Sequence, residues 1–173
     1  LPFRVRLDNV SSIKYDDKNE ESVFVDPDNG DEGGVDHGSG WWYEGGGLYR
    51  NVYLHRASNL HIESDGLFAY SNITWNSSDS SIADSATIHV SADVTNQGDS
   101  SVSDASVVFM VSDESNKVVA QSDPVALSAL STGSTSTART SVKISSPKLW
   151  ESASPDLYTV TANVMRTSNI VDT

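Results

Sequence analysis

The side chains best equipped for chemistry gather in one short stretch, "SGWWYEGGGLYRNVYL", from Ser39 to Leu54. Trp41, Trp42 and Tyr43 offer flat apolar rings, on which the C–H face of a sugar packs well. Glu44 is the one carboxylate among them that could serve as a general acid, and Arg50 is placed to pair with it. A retaining sugar hydrolase needs two carboxylates about 5 to 5.5 Å apart on a rigid scaffold, so a single glutamate does not make that site. Glu44 reads instead as a structural or interface residue. Neighbours in an extended chain alternate sides, so one ring of the Trp pair anchors the stretch while another faces a neighbour. That neighbour is either a second domain, with the rings as an apolar plug, or a sugar. Glycines 45 to 47 permit a tight reversal at positive φ before Leu48.

Other chemistries find less support. The acidic run "DPDNGDEGGVD" (Asp26 to Asp36) is rich in the oxygens that calcium prefers. A calcium loop of the EF-hand type wants Asp or Asn at its fifth position and glycine at its sixth. Counted from Asp26, Gly30 is fifth and Asp31 sixth, so the run reads as a solvated acidic turn. The four histidines, His37, His55, His61 and His89, form no recognisable metal pair, cysteine is absent, and there is no Gly-x-Ser-x-Gly elbow. No cofactor and no metal site are expected.

Composition narrows the partners. With 11 Lys+Arg against 24 Asp+Glu, the formal charge of −13 repels a phosphate backbone, which argues against nucleic acid. No apolar run is long enough to span a membrane, and Leu1 to Val10 lacks the pattern of an export signal. Asn9-Val10-Ser11, Asn72-Ile73-Thr74 and Asn76-Ser77-Ser78 fit the N-glycosylation acceptor pattern, which matters only in a secreted eukaryotic protein. Chance matches are expected in a chain so rich in Ser and Asn, and secretion is only slightly favoured.

The elements that must position these residues are strands. No segment sustains helical apolar periodicity, whereas short alternating runs recur between turn residues. They are Phe3–Leu7, Ser22–Asp26, Leu48–Arg56, Asn59–Ser64, Ala86–Asn96, Ala105–Ser112, Lys117–Gln121, Thr140–Ser145 and Leu157–Met165. From Asn59 onward their spacing suits an all-β, immunoglobulin-like sandwich of about seven strands. In "TIHVSADV", Ile88, Val90, Ala92 and Val94 face one side and Thr87, His89, Ser91 and Asp93 the other, which turns His89 to solvent. "SALSTGSTSTART" reads as a polar connection. Before Asn59, three strand candidates cannot enclose a core, and the long loop between the second and third exceeds what a compact domain usually carries without function. Residues 1–57 are therefore expected to be the tail of a larger β-domain, and residues 58–173 the sandwich.

These residues resemble glycoside hydrolase family 2. "SGWWYEGGGLYRNVYL" is similar to the sequence that closes the family's N-terminal sugar-binding jelly roll, with its aromatic pair, Gly-rich turn, Gly-Leu-Tyr-Arg and alternating strand. The upstream Pro2-Phe3 strand and the Val-rich strand ending Val25-Asp26 resemble the preceding segment of that galactose-binding-like domain. "SSPKLWESASPDLYTVTANV" resembles the Pro-x-Leu-Trp and Pro-x-Leu-Tyr pattern at the end of the family's immunoglobulin-like domain. There Pro147 and Pro155 hold the chain extended, and Leu149, Trp150, Leu157 and Tyr158 are expected to be buried at the sandwich edge. Asn169–Thr173 looks like the approach to the family's (β/α)8 catalytic barrel.

The resemblance implies an accessory-domain segment of a retaining, β-galactosidase-like enzyme. Its two catalytic glutamates would lie on the barrel, and neither matches a residue of this sequence. The barrel and a carbohydrate substrate are the implied partners, Trp41, Trp42, Tyr43, Glu44 and Arg50 the implied junction or substrate-adjacent residues, and the chain by itself is expected to be inert. The alternative is a stand-alone carbohydrate-binding or adhesion module that uses the Trp41, Trp42 and Tyr43 face, with calcium ordering the acidic loop.

Overall fold

The computed structural model describes residues 4, 5, 7, 10–14, 16–24, 47, 48 and 50–173. The chain divides into two compact units, Leu1–Leu54 and His55–Thr173. In the first unit, the described residues form no strand ladder. The runs read as strands at 22–26 and 48–56 therefore lack pairing wherever they are described, and Phe24, Tyr53 and Leu54 are exposed. Alternation supplies a face to bury, but a strand also needs a neighbour for its N–H and C=O groups.

The second unit is all strand and turn. β1 (Leu60–Trp75), β2 (Ala83–Asn96) and β6 (Thr135–Ser145) form a three-stranded antiparallel sheet with β2 in the middle. The second sheet is built on β3 (Ala105–Ser112), flanked by β9 (Thr159–Arg166) on one side and by β4 (Val118–Gln121) and β5 (Val125–Ala126) on the other. β10 (Asn169–Asp172) extends it beyond β9. β4 pairs with Met110–Ser112 and β5 with Ser106–Val107. Between them Ser122 keeps the ladder closed: its Oγ accepts the Phe109 N–H at 3.0 Å and its own N–H donates to the Phe109 carbonyl at 2.9 Å. The three-stranded and the five-stranded sheet together make an immunoglobulin-like sandwich.

The core follows from strict alternation. In β3, Ala105, Val107, Phe109 and Val111 are buried while Ser106, Val108, Met110 and Ser112 are only half-buried. In β2, Val90, Ala92 and Val94 are buried with Ile88 packed beside them, and Thr87, His89, Ser91 and Asp93 face outward. Phe109, Val107, Ala162 and Val164 from one sheet meet Val90, Ala92, Val94 and Ala138 from the other. Each fully buried Val or Phe side chain contributes about 1.5 to 3 kcal/mol. A smaller cluster of Val111, Val142 and Ile144 fills the far end.

Two polar devices complete the fold. Asn96, at the end of β2, is 1% exposed. Its Nδ2 donates to the carbonyls of Ser100 (2.8 Å) and Leu130 (3.0 Å), and its Oδ1 accepts from the Gly98 N–H (3.0 Å), tying two loops to one side chain. In β1 the register shifts between Ile62, opposite Val94, and Leu67, opposite Ala92. Asp65 holds a left-handed φ of 62° there, and a Cβ on Gly66 would come within 2.8 Å of the Glu63 carbonyl oxygen. This bulge lets one strand continue from Leu60 to Trp75, where the Asp65-Gly66 pair looked like a stop and only Asn59–Ser64 was expected to be strand.

Three further expectations are corrected. The polar run expected to be a connection becomes strand from Thr135, because its Ala138 faces the core at 1% exposure and threonine suits a half-solvated sheet. Asn169–Asp172 does not leave the domain but closes its edge as β10, with the Asp172 Oδ2 accepting the Ile62 N–H at 2.8 Å. Trp150 is 63% exposed rather than buried, and Leu157 67%. Trp150 sits on a separate two-stranded ladder formed by β7 (Trp150–Glu151) and β8 (Ser154–Pro155), whose residues are all exposed. Of that group Leu149 and Tyr158 are half-buried, and the Tyr158 hydroxyl accepts the Lys148 N–H at 3.0 Å.

Candidate functional site

Trp41, Trp42, Tyr43 and Glu44 lie outside the described residues, as do the acidic run from Asp26 to Asp36 and His37. Arg50 is described and is exposed. Of the three glycines after Glu44, Gly47 is described and adopts φ 119°, a conformation open to glycine and unfavourable for side-chain-bearing residues.

The sandwich carries three surface constellations of polar side chains. On the outer face of the β1–β2–β6 sheet, Tyr70 lies opposite His89 and their rings stack, with centroids 4.7 Å apart and planes 20° apart. Phe68 is 6.0 Å from Tyr70 on the same face. His89 Nε2 is 3.2 Å from Asn72 Nδ2, so the ring nitrogen accepts and the amide donates. Strand alternation puts all four there, since Ile88 and Val90 take the inward positions.

The second constellation lies where β3 turns toward β4. Lys148 Nζ reaches Asp156 at 3.3 Å and Glu114 at 3.7 Å beside a shallow depression that Tyr158 also lines. The Asp156 hydrogen bond, followed by the two negative charges, raises the lysine above its ordinary value. Asp156 is in turn lowered, first by the Ser154 hydroxyl at 2.6 Å and then by Lys148. The third pairs Asp104 with Thr167 Oγ1 (3.0 Å) and Arg166 Nε (3.0 Å), and the Thr167 hydroxyl is the larger cause of its lowered pKa. Asp104 and Asp156 are acceptors already engaged by donors, and both are lowered, opposite to the raised pKa that a general acid near neutrality requires.

Among the described residues, no group of three or more His, Asp or Glu side chains is placed to hold a metal ion. No helix among them is long and apolar enough to cross a membrane. Every buried side-chain nitrogen and oxygen among them has a hydrogen-bond partner. The sequence reading overlooked Asn96 and the Phe68–Tyr70 face. For Asn96 the signal was an asparagine closing a long alternating strand just before Gln97-Gly98. For the rings it was aromatic residues two apart in "LFAYSNITW".

This arrangement defines a β-sandwich module with a packed two-sheet core and exposed polar and aromatic patches. The sequence model described as Glycosyl hydrolases family 2 matches residues 71–173, more than half of the chain, and the chain belongs to that family. No curated protein matches it. Among solved structures, a β-glucuronidase from glycoside hydrolase family 2 is similar over 67% of this chain, at 23% identity and a TM-score of 0.56. A glycosyl hydrolase family 2 member from Bacteroides cellulosilyticus is similar over 67% at 21% identity and 0.53. A putative β-galactosidase from Bacteroides fragilis is similar over 67% at 20% identity and 0.54. This chain spans 12%, 15% and 17% of those chains, respectively.

Proposed function

We propose that the chain is a non-catalytic accessory segment of a retaining glycosidase, in which residues 58–173 form the immunoglobulin-like domain and residues 1–57 the end of a sugar-binding jelly roll. The observation that carries this is the family match over 71–173, within a stretch that spans only 12% to 17% of similar enzymes. Catalysis then belongs to a (β/α)8 barrel elsewhere in the parent protein, whose two carboxylates, about 5 to 5.5 Å apart, form and hydrolyse a glycosyl-enzyme intermediate. Trp41, Trp42 and Tyr43, supported by Glu44 and Arg50, face that barrel, hold the domains together and border the sugar pocket. The substrate class is a terminal β-glycoside. The galactoside is our choice from the sequence resemblance, and the similar structures named for glucuronide and galactoside cleavage make the glucuronide its competitor.

The test is to assay the 173-residue chain and the complete parent on chromogenic β-galactoside and β-glucuronide. The isolated chain should be inert on both and the parent active on the galactoside. Hydrolysis by the isolated chain overturns the accessory reading, and a parent active only on the glucuronide overturns the choice of sugar. Saturable oligosaccharide binding by the isolated chain would favour a stand-alone carbohydrate-binding module.

A further inference from the structure

We propose that Asn72 is an N-glycan acceptor whose first sugar packs against the ring of Tyr70. Asn72-Ile73-Thr74 matches the acceptor pattern, but the pattern alone is weak in a chain this rich in Ser and Asn. The strand adds what the pattern lacks. Residues at i, i+2 and i+4 of a strand share one face, about 6.6 Å between successive members. Tyr70, Asn72 and Thr74 therefore stand side by side on the outer face of β1, and all three are exposed. Tyr70 is 53% exposed and is held by its stack on His89 at 4.7 Å, so its position is fixed before any sugar arrives. A pyranose on Asn72 Nδ2 can lay its C–H face against that ring, the kind of contact an aromatic surface favours.

The surroundings accept the product. The transfer forms a bond from Nδ2 to C1 of an oligosaccharide and breaks the C1–O bond to a lipid diphosphate carrier, which leaves while the amide gives up one proton. One N–H remains, enough to keep the 3.2 Å bond to His89 Nε2. Asn72 is exposed on the outer face, and β1 is an edge strand with β2 on one side only. A glycan there would also block the unpaired edge against another chain.

The neighbouring acceptor pattern behaves oppositely. The Asn76 Oδ1 accepts from the Ser78 and Asp79 N–H groups at 2.8 and 3.0 Å, and its Nδ2 donates to the Asp84 Oδ1 at 3.0 Å. That side chain closes the β1–β2 turn with its oxygen and its nitrogen both engaged, so the transferase would have to draw it out of the turn to reach it. Asn9 lies outside the described residues.

The experiment secretes the full chain from a eukaryotic host behind a cleavable signal and maps occupancy by enzymatic glycan removal and peptide mass. Asn72 should be modified in most secreted molecules and Asn76 in few. Removing the glycan should lower the thermal midpoint, and the drop should vanish in Tyr70→Ala. Asn72→Gln should abolish the glycopeptide. If that variant is not secreted, Thr74→Ala removes the same acceptor while keeping the asparagine. An unmodified Asn72 in the secreted wild-type chain overturns the site, and an undiminished drop in Tyr70→Ala overturns the packing on the ring.

Discussion

Phe109→Ala probes whether the sandwich is held by its central aromatic. Phe109 is fully buried and packs in one cluster with the similarly buried Val107, Ala162 and Val164. The lost transfer free energy is about 3 kcal/mol. The gap, about 100 Å³ before relaxation, adds up to about 2 kcal/mol more at about 24 cal/mol per Å³. The β-branched neighbours have few alternative rotamers with which to fill it, so the expected cost lies near the top of the usual range, about 4 to 5 kcal/mol. Urea unfolding of the isolated chain, followed by far-UV circular dichroism, should show the midpoint falling by about 2 M for a slope of about 2 kcal/mol/M. The Ser122 bonds to the Phe109 backbone survive the substitution, so the loss measures packing. Trp150→Ala is the control, since a ring 63% exposed should cost under about 1 kcal/mol in the same chain. If Trp150→Ala proves as costly as Phe109→Ala, or Phe109→Ala costs under about 2 kcal/mol, the assignment of the core is wrong. Should Phe109→Ala fail to fold, Phe109→Leu, at about 1.5 kcal/mol, gives the same ranking.

Asn96→Ala should destabilise by about 2 to 3 kcal/mol in the same assay, because it leaves the Gly98 N–H and the Ser100 carbonyl without their partner. Asn96→Asp should be worse at neutral pH, since an ionised oxygen would then face two carbonyls. Gly66→Ala should cost about 1 to 3 kcal/mol by forcing a Cβ against the Glu63 carbonyl, and a neutral result would mean that the bulge relaxes freely. Acid titration should reveal Asp104. Its folded pKa is lowered by Thr167 and Arg166, so its stabilisation is full above the ordinary carboxylate value and is lost as pH falls through the lowered one. Asp104→Asn should flatten that part of the curve, and an unchanged acid limb would refute the pairing.

How far the sequence disclosed the fold depended on whether burial was local to a strand. β2 and β3 were legible because their inward positions alternate without interruption and both face one core. β1 was read at about a third of its length, because Asp65-Gly66 carries the chemistry of a turn while serving here as a bulge. Trp150 and Leu157 misled for a different reason. Apolar residues mark surfaces that exclude water, and the pattern does not say whether the covering surface belongs to the same domain. Trp41, Trp42, Tyr43 and Glu44, proposed above as junction residues, were conspicuous by type and spacing, yet their role turns on what they face, which no local pattern encodes. Asn96 was invisible because its importance lies in three partners that only the folded loops bring together.

The bond from the Ile62 N–H to Asp172 joins residues separated by 110 positions, and its consequence is kinetic. β2 finds β6 only after some forty residues have intervened, as in the pairing of Val94 with Ser136, and β3 waits longer for β9, as Val107 pairs with Val164. A chain emerging from the ribosome N-terminus first therefore holds β1 and β2 as a ribbon whose inner face stays wet until most of the domain has been made. Such long-range pairing places folding on the millisecond-to-second scale of β-sandwiches. During that interval the exposed ribbon edge is the part of the nascent chain most open to a chaperone or to another ribbon of its own kind.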